Sequence, residues 1–537
     1  MKKVSLLLLV AGICAAQVSD ISGERIRAHV KFLSSDLLEG RGVGTRGGKL
    51  ATDYIATEFA LEGLKPAGDN GTYFQRVPLM GVTTGPGASV TAEANGKSVS
   101  FQWLTDFVGV TERQKEGATL DGDAIFMGHG ITAPEFGWDD YKGVDVKGKI
   151  VVLFTNEPPS DDPKYFGGKA LTYYGRWTFK YENALRHGAQ AVFIIHTTPT
   201  AGYGWDVVSS SWGKEDPQVL LEPGQSALAF AGWVTKGAGE KLLGLAGKNV
   251  DDLLRAANTR GFKPIPLGIH IHGNVPTKLR PIESRNVVAE VPGSDPALRD
   301  QAVVFTAHWD HLGIGTPVNG DSIYNGAVDN GTGCGILLEI ARAWESLPKK
   351  PRRSAMFVAV TAEEAGLRGS QYYAEHPVIP DGKTALDINY DALFPAGRTK
   401  DVEVGGAERT TVWPVVERVA KQMGLVIRPD AHPEQGHYYR SDHFSFARAG
   451  VPAFSVDMGS EFAGKPADFG EKLFQEYNDN HYHQPSDEFH NDWDFSGLAE
   501  MAHFGMQVGL DVANQEKLPT WQPGDEFLSA REKSGVQ

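Results

Sequence analysis

From about residue 285 the chain alternates in a way that leaves few folds open to it. Apolar runs, "AVVFTA" (302–307), "SAMFVAVTA" (354–362), "ALDINYDAL" (385–393) and "PAFSVDM" (452–458), are separated by "GTGCGILLEIARAWESL" (331–347), "GLRGSQYYAEH" (366–376) and "TTVWPVVERVAKQMG" (410–424), with "FSGLAEMAHFGMQVGLDVAN" (495–514) last. The runs read as strands buried on both faces, and the segments between them as amphipathic helices. That pairing is the mark of an α/β fold with a doubly wound, mostly parallel sheet. Such sheets place their sites at the carboxyl ends of the strands.

Two helices are expected earlier. "SGERIRAHVKFLSSDLLEGR" spaces Ile26, Val30, Leu33 and Leu37 at helical intervals behind a possible cap at Ser22, and "GGKLATDYIATEFALEGL" follows it. They have no strands of their own to cover, so residues 17–81 are expected to pack on the later sheet. From Val82 the texture changes to short alternating runs divided by Gly and Pro. Residues 82–276 therefore read as an inserted, smaller β-rich module. Its clearest strands are "GDAIFMGHGI", "GKIVVLF" and "AVFIIH", with "RWTFKYENALRHG" a helix between the last two. The alternating sheet occupies 277–515, and a tail of 516–537 containing "PTWQPGDEF" either docks or frays.

With 41% hydrophobic residues in 537, the chain can bury more than one core. The start, "MKKVSLLLLVAGICAA", has two lysines, a short apolar run and small residues, as a secretory signal peptide of residues 1–16 does. A lipoprotein signal is the weaker reading, because Ile13 precedes Cys14 where a small residue is wanted. No later stretch reaches the roughly 18 apolar residues of a membrane span. The expectation is an exported protein, periplasmic or secreted, with the short plain signal of a bacterium. Loss of the leader leaves Cys334 as the sole cysteine, so no internal disulfide is possible. The net charge of −15, which becomes −17 once Lys2 and Lys3 are removed, argues against nucleic acid as a partner.

The polar residues gather at the strand ends. "VVFTAHWD" delivers His308 and Asp310, "VAVTAEE" delivers Glu363 and Glu364, and "INYD" delivers Asp391. "NGAVDNGTG" sets Asp329 ahead of a helix, and "NDNHYHQPSDEF" supplies His481 and His483. Singly, each has a dull explanation as a turn, a cap or a solvated charge. Together, carboxylates and imidazoles at adjacent strand ends would repel and desolvate one another unless a cation compensated them. Zinc accepts such a mixed set of nitrogen and oxygen ligands. Two zinc ions about 3.5–4 Å apart, sharing one carboxylate, would hold a hydroxide for attack on a carbonyl. Asp310 then has a role in orienting the His308 imidazole through its other nitrogen. The pair Glu363–Glu364 suits two tasks, one carboxylate binding metal and the other serving as general base.

The elements "TAHWDHLG", "GAVDNGTG", "TAEEAGLRGS", "NYDAL", "SDHFSF" and "YHQPSDE", in this order, resemble the M28 family of zinc-dependent exopeptidases. "GHGITAPEFGWDDYKGVDVKGKIVVLF" and "GAQAVFIIH" resemble the protease-associated insert found with it, and "FLSSDLLEGRGVGTRGGKLATDYIATEF" resembles its usual N-terminal part. The resemblance implies that His308 and Asp391 hold one zinc, Glu364 and His483 the other, and that Asp329 bridges them. It makes Glu363 the base and Asp310 the orienting carboxylate. His481 would share a face with His483 in an extended segment, but the "YH" before "SDE" favours His483. Mn or Co can substitute at such carboxylate-rich sites.

An aminopeptidase acting on peptides is the expected activity. A carboxypeptidase or dipeptidase would use the same metals. A glutaminyl-cyclase-like acyl transferase would keep a single zinc on the equivalents of Asp329, Glu364 and His483, and a non-catalytic binding protein of this fold would bind none. Arg440, Ser441, Asp442 and His443 resemble a segment near the family's substrate pocket, with helix capping as their alternative role. His311 is read as structural and Trp309 as packing. "GTGCG" does not directly follow a strand, which argues against a nucleotide site, and neither HExxH nor GxSxG occurs.

Overall fold

The computed structural model describes residues 21–535, so the leader expected at 1–16 lies outside the described residues. Four parallel strands run in the order Ala453–Ser455, Thr384–Asn389, Ala302–His308 and Ser354–Val360. The long strand Ile265–Val291 adds antiparallel to Ser354–Val360, and Phe74–Thr84 pairs antiparallel with it in turn. Every residue of the three longest parallel strands is buried, which requires cover on both faces.

Alternate side chains of Ala302–His308 enter two different cores. Val303 and Phe305 meet Val30, Ile55, Ile340 and Met501 from the helices Gly23–Leu33, Arg46–Leu61, Gly333–Glu345 and Ser496–Asn514. On the opposite face Val304 meets Tyr373 of Arg368–Glu375, Phe446 of His443–Arg448, and Trp521 and Phe527 of the tail. The two early helices thus belong to this sheet. The tail docks: the Trp521 ring is buried and its Nε1–H donates to the Gly450 carbonyl at 2.9 Å.

The segment between is joined to the sheet without a linker. The first half of Ile265–Val291 pairs with Gly117–Phe126 and Ser89–Ala94, and the second half with Phe74–Thr84, so positions 82 and 276 both fall inside strands. Within the segment, Gly117–Phe126, Ile150–Leu153, Ala191–Ile195 and Phe230–Val234 run parallel in that order. The helices Trp177–Arg186, Lys236–Gly244 and Val250–Ala257 cover them. It is therefore more α/β in character than its Gly- and Pro-rich texture suggests. The sign of this was the uniform burial of "IVVL" and "AVFII", which alternate with nothing.

Among the described residues no helix is long and apolar enough to cross a membrane.

Candidate metal centre

The carboxyl ends of three adjacent parallel strands set the site. His308 ends its strand, Glu363 and Glu364 are the third and fourth residues after Ser354–Val360, and Asp391 is the second after Thr384–Asn389. Asp329 lies in the turn before the helix Gly333–Glu345, and His483 in the turn after the helix Phe469–Asn480. That turn before Gly333 needs its first glycine. Gly326 has φ +60°, and a Cβ there would sit 2.2 Å from the Asp329 carbonyl oxygen and 2.5 Å from the His311 ring.

The Asp329 carboxylate faces two ways. Its Oδ1 is 3.2 Å from His308 Nε2, while its Oδ2 is 3.3 Å from His483 Nε2 and 4.0 Å from His311 Nδ1. His308 Nε2 is also 3.1 Å from Asp391 Oδ1. On the other side Glu364 reaches His483 Nε2 at 3.0 Å and His311 Nδ1 at 2.6 Å, one oxygen to each. Two groups of potential ligands result, His308–Asp329–Asp391 and His311–Asp329–Glu364, each with its ligand atoms within 4.8 Å of one another. Glu363 belongs to neither group. Its Oε2 stands 4.0 Å from His308 Nε2, and Glu363, like Asp329 and Asp391, lines a cleft of about 2100 Å³.

Several side chains fix these groups. The buried guanidinium of Arg41 donates to the carbonyls of Leu33, Trp309, Asn325 and Gly326 at 2.6–2.8 Å, tying the loop after His308 to the turn that carries Asp329. Asp487 accepts the backbone N–H groups of Val328 and Asp329 at 2.9 and 3.1 Å. Asn330 joins that turn to the Asp391 loop, donating to the Tyr390 carbonyl and accepting from Ala392 N–H. Ser441 Oγ donates to Asp391 Oδ2 at 2.6 Å while accepting from Asn389 Nδ2. The Tyr482 ring stacks on His483 with centroids 3.9 Å apart.

Burial and mutual charge shift these groups strongly. For His308, burial works to lower the imidazole, but Asp391, Glu363 and Asp329 outweigh it and hold it well above its usual range. His483 is raised to about 10, against burial, by Glu364 and Asp329. Burial would raise Glu364 and Asp329, yet the facing imidazoles take both below the usual carboxylate range. Glu363 goes the other way. Burial pushes its carboxyl well up, Asp391 and Glu364 add to this, and His308 opposes it.

Three expectations need revision on geometry. The Asp310 carboxylate does not meet the His308 imidazole. The backbone carbonyl of Asp310 lies 3.1 Å from His308 Nδ1, and the carboxylate turns instead to accept the Glu363 N–H at 3.2 Å. His311, read as structural, faces Glu364 at 2.6 Å and the Asp329 carboxylate at 4.0 Å. His481 and His483 do not share a face in an extended segment. His481 follows a helix and approaches Glu476 and Ser486, while His483, with φ 57°, turns into the site.

The remaining candidates divide. Ser441 touches Asp391, and Arg440 lines the cleft. Asp442 makes no capping bond to the helix it precedes, and burial pushes its carboxyl up to about 7. His443 is buried against Tyr438, 4.7 Å between ring centroids, and burial lowers it to about 3. Trp309 packs in the core, its Nε1–H on the Arg285 carbonyl at 3.0 Å.

A family model described as peptidase family M28 matches residues 286–506, which include every residue of the two ligand groups. Leupeptin-inactivating enzyme 1 of Streptomyces exfoliatus is 27% identical over 183 residues, 33% of this chain and 36% of that protein. Aminopeptidase YwaD of Bacillus subtilis (strain 168) is 28% identical over 161 residues, 29% of this chain and 32% of that protein. The chain thus spans about a third of the length of these curated relatives. The solved aminopeptidase from Aneurinibacillus sp. strain AM-1 shares the fold, with a TM-score of 0.50 and 19% identity over 94% of this chain and 97% of that one.

Proposed function

We propose that this chain, whose residues 286–506 match the model of peptidase family M28, is an exported two-zinc aminopeptidase that removes residues from the amino end of peptides. The observation that carries this reading is the double-facing Asp329 carboxylate, with one oxygen toward His308 and the other toward His483 and His311. A carboxylate so placed serves two cations at once.

The donor set fits zinc, since it offers imidazole nitrogens and carboxylate oxygens in two compact groups. His308, Asp329 and Asp391 would hold one ion; Asp329, Glu364 and His483 would hold the other, with His311 as a further imidazole beside Glu364. Mn or Co would suit the same ligands. Bound zinc supplies a Lewis acid that polarises a peptide carbonyl and acidifies water.

The chain's own residues do the rest. Glu363 is left out of both ligand groups, opens onto the cleft and has a raised proton affinity, which suits a base that takes a proton from water and gives it to the leaving amine. Asp310 acts as a positioning residue by holding the Glu363 backbone. Ser441 and Asn389 fix the Asp391 carboxylate. The surplus of carboxylates attracts a substrate's amino terminus, and this sets the end from which residues are counted.

Residues 82–276 are assigned as a protease-associated insert. Glu135, Phe136, Leu171 and Tyr174 from this segment line the cleft, so the insert shapes access to the centre and limits substrate size.

The test is hydrolysis of a panel of aminoacyl anilides, free or N-acetylated, with and without a chelator. Cleavage confined to the free amines and abolished by the chelator is expected. Equal cleavage of acetylated substrates, or indifference to the chelator, contradicts the reading.

A further inference from the structure

A line of polar side chains runs through the sheet behind the metal centre. Thr306 shares the strand face that Val304 presents, and Asp387 and Asn389 lie on the neighbouring strand, where Asn389 is paired directly with Thr306. All three are fully buried. Thr306 Oγ1 stands 3.0 Å from Asp387 Oδ1 and 2.9 Å from Asn389 Oδ1. Asn389 Nδ2 donates to Ser441 Oγ at 2.8 Å, and Ser441 Oγ donates to Asp391 Oδ2 at 2.6 Å. Successive contacts therefore lead from Asp387, inside the sheet, to the carboxylate of Asp391.

Counting protons fixes the direction of this line. A ligand carboxylate only accepts, so the single Ser441 proton points at Asp391. Ser441 is then an acceptor toward Asn389, whose amide must turn Nδ2 to it and Oδ1 to Thr306. That oxygen also only accepts, so it takes the single Thr306 proton. Thr306 has none left for Asp387. Their 3.0 Å contact is a hydrogen bond only if the Asp387 carboxyl carries a proton on Oδ1 and donates it. The surroundings agree with a neutral acid. Asp387 Oδ2 is buried with no hydrogen-bond partner, which is costly for an ionised carboxylate. Burial pushes this carboxyl well above its usual range against the Thr306 contact, and Asp442 adds to the rise.

We propose that Asp387 is a positioning residue for the metal centre, starting a one-way chain of hydrogen bonds through Thr306, Asn389 and Ser441 that keeps the Ser441 proton on Asp391. This rests on the reading of Asp391 as a zinc ligand. An ionised Asp387 would claim the Thr306 proton. The Asn389 amide would then turn over to give Thr306 an N–H, and its oxygen would draw the Ser441 proton away from Asp391. The acid at the far end of the chain thus decides whether Ser441 holds the ligand carboxylate.

The experiment compares the full-length chain with Asp387→Asn, Thr306→Val and Thr306→Ser, by infrared spectroscopy at neutral pH and by zinc affinity in competition with a chelator. The difference spectrum of the unmodified chain minus Asp387→Asn should show the carbonyl stretch of a protonated carboxyl. Asp387→Asn offers Thr306 an N–H in place of the acid O–H, so its zinc affinity should match that of the unmodified chain. Thr306→Val cuts the chain and should weaken zinc at one of the two positions by about 10- to 100-fold, the cost of losing a group that orients a ligand. Thr306→Ser should restore it. Should Thr306→Val fail to fold, the infrared band and the affinity of Asp387→Asn carry the test. Full zinc affinity in the unmodified chain without the band, a folded Asp387→Asn that binds zinc more weakly, or a Thr306→Val that is less stable yet binds zinc unchanged overturns the positioning role alone. An unmodified chain that binds no zinc overturns the reading of Asp391 as a ligand, and the positioning role with it.

Discussion

Glu363→Gln should retain two zinc ions per chain and lose about 10²- to 10⁴-fold in turnover, the range of a general base. The substitution removes a proton acceptor and changes little else, because the amide has the same shape and Glu363 belongs to neither ligand group. Its backbone N–H remains on Asp310. Metal analysis alongside steady-state kinetics checks both halves of the expectation. Full activity would mean that the two glutamates have been given the wrong tasks, and loss of a zinc ion would make Glu363 a ligand.

Asp329→Ala should have the second large effect, emptying both positions together. Its two oxygens are the only carboxylate contacts common to the His308 and His311–His483 sides among the described residues. Removing a group that merely orients a ligand typically costs 10- to 100-fold in metal affinity, so loss of a shared ligand should exceed about 10²-fold. Zinc content should fall below one per chain after dialysis, with activity at background. The turn itself should survive, since Asp487 holds it through the backbone N–H groups of Val328 and Asp329. Two zinc ions retained at unchanged affinity would rule out a bridging role.

Much of this was legible in the sequence where the signal is local. The buried strands at 302–308, 354–360 and 384–389 announce themselves as apolar runs, and the polar residue that ends or follows each one marks the site. What depends on distant contacts was not legible. Arg41 sits in a glycine-rich stretch, and its four carbonyl partners come from Leu33, Trp309, Asn325 and Gly326, a set that no spacing reveals. Asp487 lies within the quoted "YHQPSDE", but the backbone N–H groups it accepts from at the site are some 160 residues away. The helix Phe469–Asn480 buries only Gly470 and Tyr477, too little for an apolar stripe, so His483 could not be placed on its turn. His311 and Asp310 show the limit within a motif: "HWDH" names the residues, but which side chain faces the site depends on the turn's backbone. Among the second-rank candidates, Ser441, two residues before the helix His443–Arg448, reaches Asp391, while His443, the first residue of that helix, is buried against Tyr438.

The most direct measurement is titration of the metal-free protein with zinc, following hydrolysis of a free aminoacyl anilide. Activity that rises to its maximum at two equivalents per chain is the expected result, with Asp329→Ala showing no rise. Saturation at one equivalent would contradict the two-metal centre and favour single-zinc chemistry of the acyl-transfer kind, and bound zinc without hydrolysis would contradict the aminopeptidase assignment itself.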